Sequence, residues 1–123
     1  MSTRDSERNK WDDYYSTLPL VDPDEATRLF NSALTLAVKE LLPDGGRVLE
    51  AGCGGGWQSL ALAEEGNFDV TLLDFSAEAL RYAERVFQAR GRKVELIHGD
   101  AFESGAEGFD LVFNAGVLEL KTT

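Results

Sequence analysis

The chain has 123 residues, which is enough for one domain with a single modest core. Hydrophobic residues make up 43% of it and charged residues 28%, so a fully disordered chain is excluded. Its 22 acidic and 12 basic residues give a formal charge of −10, which disfavours binding to a nucleic-acid backbone.

The chain has one cysteine, Cys53, and one histidine, His98. These counts exclude an intrachain disulfide, argue against a zinc or histidine-rich centre, and lead us to expect no metal. The first 15 residues contain no apolar run typical of a secretory signal, and no stretch approaches the ~20 apolar residues that span a bilayer. We therefore expect a cytoplasmic protein that binds no membrane.

Residues 1–21 are predicted to form a helical or flexible N-terminal segment. Trp11, Tyr14 and Tyr15 share one side of a helix at spacings of three and four residues. This aromatic side either pins a short helix onto the body of the protein or forms a lid over a ligand site. In the second interpretation, Tyr14 and Tyr15 are candidates for contact with a substrate.

A second helix opens the domain predicted over residues 22–123. Asp22 is a candidate N-cap, with Pro23 at the first helical position and Glu25 completing a capping box. Apolar residues then recur at helical spacing until a Pro-Asp-Gly-Gly stop at residues 43–46.

Short apolar runs then alternate with helical patterns. The predicted strands cover about residues 47–51, 69–75, 93–100 and 109–116, and the intervening helices cover residues 57–65 and the segment capped by Ser76. Strands and helices that alternate at this spacing predict an α/β, Rossmann-like, doubly wound parallel sheet.

The most informative feature is the glycine-rich segment at residues 50–56, EAGCGGG, between the first strand and the next helix. Glycines there allow a tight turn and a close approach of the backbone to a ligand, whereas the alternative is a turn used only for packing. A P-loop needs lysine after its last glycine, but Trp57 follows here. The dinucleotide fingerprint Gly-x-Gly-x-x-Gly, read from Gly52, would need a third glycine at Trp57. The pattern that fits best is acidic-x-Gly-x-Gly-x-Gly, from Glu50 to Gly56.

Two further polar positions follow predicted strands. Asp74 ends the second strand, where a carboxylate can accept hydrogen bonds from ribose hydroxyls or act as a local cap. Phe75, the next residue, can pack against an adenine ring or in the core. Asp100 and Ala101 follow the third strand, where a carboxylate and a backbone N–H can recognise an adenine edge or belong to an ordinary turn.

Taken together, the segments VLEAGCGGG, VTLLDFS, VELIHGDAF and FDLVFNAGVLE resemble the class I S-adenosylmethionine-dependent methyltransferases. The resemblance spans about residues 47–119 and implies S-adenosyl-L-methionine as cofactor, with a small molecule as the expected methyl acceptor. The cofactor-binding residues that it implies, together with Phe75, are Glu50, Gly52, Cys53, Gly54, Gly56, Asp74, Asp100, Ala101 and Asn114. Ala115 would join Asn114 at the methionine end.

Two motifs depart from branches of this family. Asn114-Ala115-Gly116-Val117 stands where amino-directed members carry Asn/Asp-Pro-Pro-aromatic, so methylation of nucleobase amines is disfavoured. Leu120 replaces the histidine that many small-molecule members place near Glu119. Cys53 is interpreted as a small buried residue and His98 as a structural one, so no general base or other catalytic residue is assigned.

The family fold has seven strands, and this chain supplies candidates for about four. We therefore expect the amino-terminal half of that fold, incomplete at its C-terminal end. An uncovered fourth strand would be an open apolar edge, which predicts a homodimer or a partner chain there. Two other functions stay open: a non-catalytic cofactor-binding fragment or scaffold subunit, and a nicotinamide-dependent oxidoreductase module.

Overall fold

The computed structural model describes residues 3–17, 23–100, 107–114 and 119–121. These residues form four helices and five strands. In chain order they are α1 (Thr3–Thr17), α2 (Glu25–Leu41), β1 (Gly46–Ala51), α3 (Trp57–Ala63), β2 (Phe68–Asp74), α4 (Ala77–Ala89), β3 (Glu95–His98), β4 (Leu111–Asn114) and β5 (Glu119–Lys121). In the described part of the chain, no helix combines the length and apolar character needed to cross a membrane.

The sheet has the strand order β3-β2-β1-β4-β5. The first four strands run parallel, which confirms the predicted α/β, Rossmann-like fold. The chain builds outward from β1 through β2 to β3, and then returns to place β4 on the other side of β1. Ligands of such sheets bind at the carboxyl ends of the strands where this reversal occurs, which here is between β1 and β4.

The fifth strand corrects the prediction of an open edge at the fourth. β5 pairs antiparallel with β4, and Asn114 lies opposite Glu119. The backbone groups on the outer side of β4 are thereby hydrogen-bonded within the chain. No separate strand pattern is visible in the sequence here, because β5 has only three residues and follows β4 closely in the chain.

The main core lies between one face of the sheet and the helices α2, α3 and α4. Alternate strand residues point to this face, and Val48, Leu72 and Phe113 contribute from three neighbouring strands. Leu60 from α3 and Phe87 from α4 pack against them, and all five side chains are fully buried. This packing fixes the strand ends that carry the polar residues.

Helix α2 begins at a different cap from the predicted one. Asp24, not Asp22, is the N-cap, and its side chain accepts a hydrogen bond from the Thr27 N–H at 2.8 Å. Asp24 has extended backbone angles, so Glu25 becomes the first helical residue and its charge lies at the positive end of the helix dipole.

The apolar residues of α2 extend beyond the side of the helix that is buried. Asn31 and Val38 are its buried residues, whereas Leu29 and Leu36 are 66% and 65% exposed. The helix packs on α3 through the Asn31 side, and the Asn31 side-chain amide donates to the Trp57 carbonyl at 3.4 Å. Helical periodicity located α2 correctly but could not show which side would be covered.

Gly56 and Gly66 offer a matched test of packing behind the glycine segment. Both have positive φ, of 75° and 93°. A Cβ on Gly56 would lie 3.0 Å from Leu72 and 3.1 Å from Ala83, whereas one on Gly66 would meet none of the described residues within 4 Å. We expect Gly66→Ala to cost about 1 kcal/mol of unfolding free energy from backbone strain. Gly56→Ala should cost about 1–3 kcal/mol more because of crowding. Urea unfolding of both variants measures the difference, and equal losses would contradict the described packing.

Candidate cofactor-binding site

Four chain segments bring polar groups to the carboxyl edge of the sheet. The glycine segment leaves β1 at Gly52, Asp74 ends β2, and Asn114 ends β4. Asp100 follows β3, and the preceding Gly99 N–H donates to the Asp74 carbonyl at 3.0 Å. The parallel order of the strands thus places at one edge residues that are far apart in sequence. Ala101 and Ala115 lie outside the described residues.

The glycine segment folds back over the end of β2. The N–H groups of Gly52 and Cys53 both donate to the Leu73 carbonyl, at 2.7 and 3.3 Å. Gly52 and Gly54 adopt φ values of 67° and 55°, in the left-handed region that favours glycine. These angles turn the chain tightly enough for α3 to begin at Trp57, directly beyond the loop.

Asp74 fastens the loop through its side chain. Its Oδ2 accepts from the Gly54 N–H at 3.1 Å, and its Oδ1 accepts from the Ser76 N–H at 2.9 Å. The residue is 5% exposed, and burial raises the pKa of its carboxyl, an effect that the backbone hydrogen bonds oppose. A carboxylate offers about four lone-pair positions, so these two contacts do not exhaust its capacity to accept hydrogen bonds.

Gly52 and Asn114 face each other across the point where the strand order reverses. A Cβ on Gly52 would lie 3.6 Å from the Asn114 side-chain nitrogen, and no other group of the described residues would come within 4 Å. Gly52 is exposed and Asn114 is half-buried. Among the described residues, the Asn114 amide is thus the nearest group to the open side of Gly52.

Glu50 lies behind the loop. Its carboxyl is 1% exposed and accepts a hydrogen bond from the Ser59 hydroxyl at 2.7 Å. Burial raises its pKa to about 8, the Ser59 hydrogen bonds act in the opposite direction, and the Asp74 charge adds to the rise. Glu50 is thus placed to support the junction of β1 and α3, and any effect on a ligand would pass through the loop.

Cys53 is also part of the support of the loop. It is buried, and burial together with the nearby carboxylates raises the pKa of its thiol. The thiolate is therefore disfavoured, which agrees with the interpretation of Cys53 as a small packing residue.

His98 and Phe75 join the ends of β3 and β2. The His98 Nε2 lies 3.1 Å from the Phe75 carbonyl oxygen, as expected for a histidine that helps to hold the edge together. Phe75 is half-buried beside Asp74, so its ring stays a candidate for contact with an adenine.

Helix α1 brings two aromatic residues to this edge. Tyr15 is half-buried, and its hydroxyl oxygen would lie 2.5 Å from a Cβ on Gly54. Its ring contacts Tyr82 of α4 at a centroid distance of 5.7 Å, and burial raises the pKa of its hydroxyl. Tyr14 packs edge-on against Tyr15 at 5.0 Å and is exposed.

Sequence reasoning missed Asp12, which lies one helical turn before Tyr15. Its carboxylate accepts a hydrogen bond from the Ser76 hydroxyl, next to Asp74 in the chain. The spacing of three residues from Tyr15 was the available signal, because residues three apart share a side of a helix.

The comparisons with known proteins identify the family of the chain. A family model described as a methyltransferase domain matches residues 48–123. The chain belongs to this methyltransferase family. The match includes β1 from Val48 onward, the glycine segment and the ends of β2, β3 and β4.

Individual relatives are longer than this chain. It is 36% identical over 81 residues to the protein named "Putative methyltransferase YqeM" of Bacillus subtilis strain 168, a match over 66% of this chain and 31% of that one. Protein PH0226 of Pyrococcus horikoshii OT3 is similar in structure, with a TM-score of 0.66, 31% identity, and coverage of 81% and 49% of the two chains. The chain thus spans about half or less of these relatives.

A third relative was solved with a ligand. It is a SAM-dependent methyltransferase from Thiobacillus denitrificans in complex with S-adenosyl-L-homocysteine. The TM-score is 0.55 at 25% identity, and the match covers 78% of this chain and 45% of that one.

Glu50 predicts a distinctive pH dependence. The unfolded chain releases this proton near the ordinary value of 4.5, whereas the folded chain holds it to about pH 8. Between these limits the free energy of unfolding should fall as pH rises, by up to about 1.4 kcal/mol per pH unit from this group. Glu50→Gln should remove that contribution.

Urea unfolding between pH 4.5 and 8 measures the effect. The exposed Glu40 on α2 supplies a control with the same chemical change, and Glu40→Gln should keep the wild-type slope. If Glu50→Gln also keeps the wild-type slope, the Glu50 carboxyl does not hold its proton in the folded state.

Proposed function

We propose that this protein binds S-adenosyl-L-methionine at the carboxyl edge of its sheet and transfers the methyl group to a small-molecule acceptor. The observation that carries the proposal is the buried carboxylate of Asp74, which fastens Gly54 and retains acceptor capacity toward the edge. Ribose hydroxyls are the groups that a carboxylate in this position binds in nucleotide-binding sheets.

The charge of the edge supports this choice of ligand. Asp74 and Asp100 are acidic, and the glycine segment carries no lysine or arginine. S-adenosylmethionine has a cationic sulfonium and an amino group, which suit such surroundings better than the two phosphates of a nicotinamide dinucleotide. Family membership also favours methyl transfer over the oxidoreductase alternative.

Different residues at the edge are proposed to bind different parts of the ligand. Asp74 would accept from the ribose, with Phe75 and Asp100 on the adenine side. Gly52 and Asn114 would hold the methionine end, since Gly52 is exposed and the Asn114 amide is the described group nearest to a Cβ placed there. The Tyr15 hydroxyl lies over Gly54 between these ends.

When bound, the cofactor supplies an electrophilic methyl group on its sulfonium sulfur. The task of this chain is to hold the nucleoside in one orientation and to keep water away, so that an acceptor can approach in line. Tyr14 and Tyr15 are proposed to face the acceptor side. No residue is assigned as a general base, and the acceptor stays unidentified.

Asp74→Asn should weaken the binding of S-adenosylhomocysteine by about 10–100-fold, because a charge-assisted hydrogen bond contributes about 1.5–3 kcal/mol. Titration calorimetry measures the dissociation constant. Asp69→Asn is the matched control, since Asp69 is exposed near the amino end of the same strand. Equal affinities of wild type and Asp74→Asn would contradict the proposed role.

A change in the ligand tests the same contact without altering the loop. The 2′-deoxy analogue of S-adenosylhomocysteine should bind more weakly than the parent to the wild type. The two ligands should bind Asp74→Asn with similar affinities. If the loss of the 2′-hydroxyl weakens binding to Asp74→Asn as much as it weakens binding to the wild type, another residue binds the ribose.

Turnover separates an enzyme from a module that only binds the cofactor. Formation of S-adenosylhomocysteine in the presence of a panel of hydroxyl, amine and thiol acceptors measures methyl transfer directly. Binding without turnover across such a panel would favour the non-catalytic alternative.

Association with a second copy or a partner chain stays a prediction, as does a cytoplasmic location. Within the described residues, β5 is now the outermost strand on the β4 side, so pairing would occur at β5. Light scattering coupled to size exclusion measures the mass in solution. A monomer at all micromolar concentrations would contradict self-association.

A further inference from the structure

Helix α1 lies along α4 and covers the edge at which the nucleoside is proposed to bind. Asp12 and Tyr15 are three residues apart and both reach the loops beyond β1 and β2. The chain thus brings a segment that precedes the sheet in sequence onto the mouth of the site.

Asp12 makes a polar contact between α1 and α4. Its Oδ1 accepts a hydrogen bond from the Ser76 hydroxyl at 2.5 Å. The same oxygen accepts a longer hydrogen bond from the Glu78 N–H, at 3.4 Å. Ser76 is the N-cap of α4, and its hydroxyl oxygen accepts from the Ala79 N–H at 3.1 Å. The Asp12 carboxylate therefore adds a second cap at the positive end of the α4 dipole.

The same serine is bonded to the proposed ribose ligand. The Ser76 N–H donates to Asp74, and the Ser76 hydroxyl donates to Asp12. One buried residue therefore connects the closing helix to the binding carboxylate. The Tyr15 hydroxyl lies close to Gly54, so that a Cβ at Gly54 would force the tyrosine to shift.

We infer that Asp12 is a positioning residue that holds α1 closed over the carboxyl edge, and that release of its contact with Ser76 and Glu78 admits and releases the nucleoside. This inference rests on the proposed function, because it concerns access to the same site. Asp12 touches no reacting atom; it acts through the position of Tyr15 and the α1 backbone.

Hydrogen–deuterium exchange of the ligand-free protein tests the closure directly. Asp12→Ala should speed exchange of the α1 amides and of the Glu78 amide by at least about tenfold, as expected for loss of a charge-assisted hydrogen bond. Asp13→Ala is the matched control, since it makes the same change at the next residue of the helix, where the side chain is exposed. Unchanged exchange in Asp12→Ala would overturn the inference.

Stopped-flow measurements with S-adenosylhomocysteine test the effect on ligand exchange. Asp12→Ala should raise the dissociation rate by about tenfold and raise the association rate as well, so that affinity changes less than either rate. Asp12→Asn keeps an uncharged acceptor and should fall between Asp12→Ala and the wild type. Rates equal to those of the wild type in Asp12→Ala would overturn the inference.

The two experiments distinguish failure of the inference from failure of the proposed function. If the wild type binds no S-adenosylhomocysteine, the proposed function fails, and the exchange data still decide whether Asp12 holds α1. If the wild type binds the ligand and Asp74→Asn does not, but Asp12→Ala exchanges it at the wild-type rate, the site stands and the closing role of Asp12 fails.

Discussion

The site depends on the hydrogen bonds that hold the loop after β1 against the end of β2. Backbone donors at Gly52 and Cys53 share the Leu73 carbonyl, and the Gly54 N–H bonds to the Asp74 side chain. These contacts join two neighbouring strands at the edge where ligands bind in open α/β sheets. They also explain why glycine is required, since the turn needs positive φ at Gly52 and Gly54.

Two buried carboxyl groups, those of Glu50 and Asp74, lie next to the loop after β1. Glu50 is buried against Ser59, with a pKa raised to about 8, so it is mostly uncharged at neutral pH. Asp74 is also buried, and burial raises the pKa of its carboxyl, although the backbone N–H groups act in the opposite direction. Two carboxyl groups near one loop thus have different surroundings: Glu50 bonds to the Ser59 hydroxyl, and Asp74 bonds to the backbone N–H groups of Gly54 and Ser76.

Much of this arrangement could be predicted from local sequence. Glycines between a strand and a helix, and an aspartate at the end of the next strand, are signals carried by adjacent residues and by the parallel order of strands. The family match of residues 48–123 agrees with that prediction. Family membership alone does not assign a role to each side chain, so those roles stay proposals.

Other features depend on contacts between distant segments, which no local pattern contains. The Asp12 contact with Ser76 joins residues 64 positions apart. In the sequence, nothing in the pattern of charges distinguishes Asp12 from its neighbour Asp13. The exposure of Leu29 likewise depends on which side of α2 meets α3. Asp24 replaced the predicted cap Asp22 because either carboxylate suits the local sequence and backbone geometry decides between them.

A crystal structure of the chain with S-adenosylhomocysteine would show where the nucleoside binds. We expect ribose hydroxyls within hydrogen-bond distance of the Asp74 carboxylate, adenine on the Asp100 side, and the amino-acid end over Gly52 near Asn114. A ligand that binds elsewhere on the sheet, or at this edge with its ribose away from Asp74, would show that the proposed site is wrong.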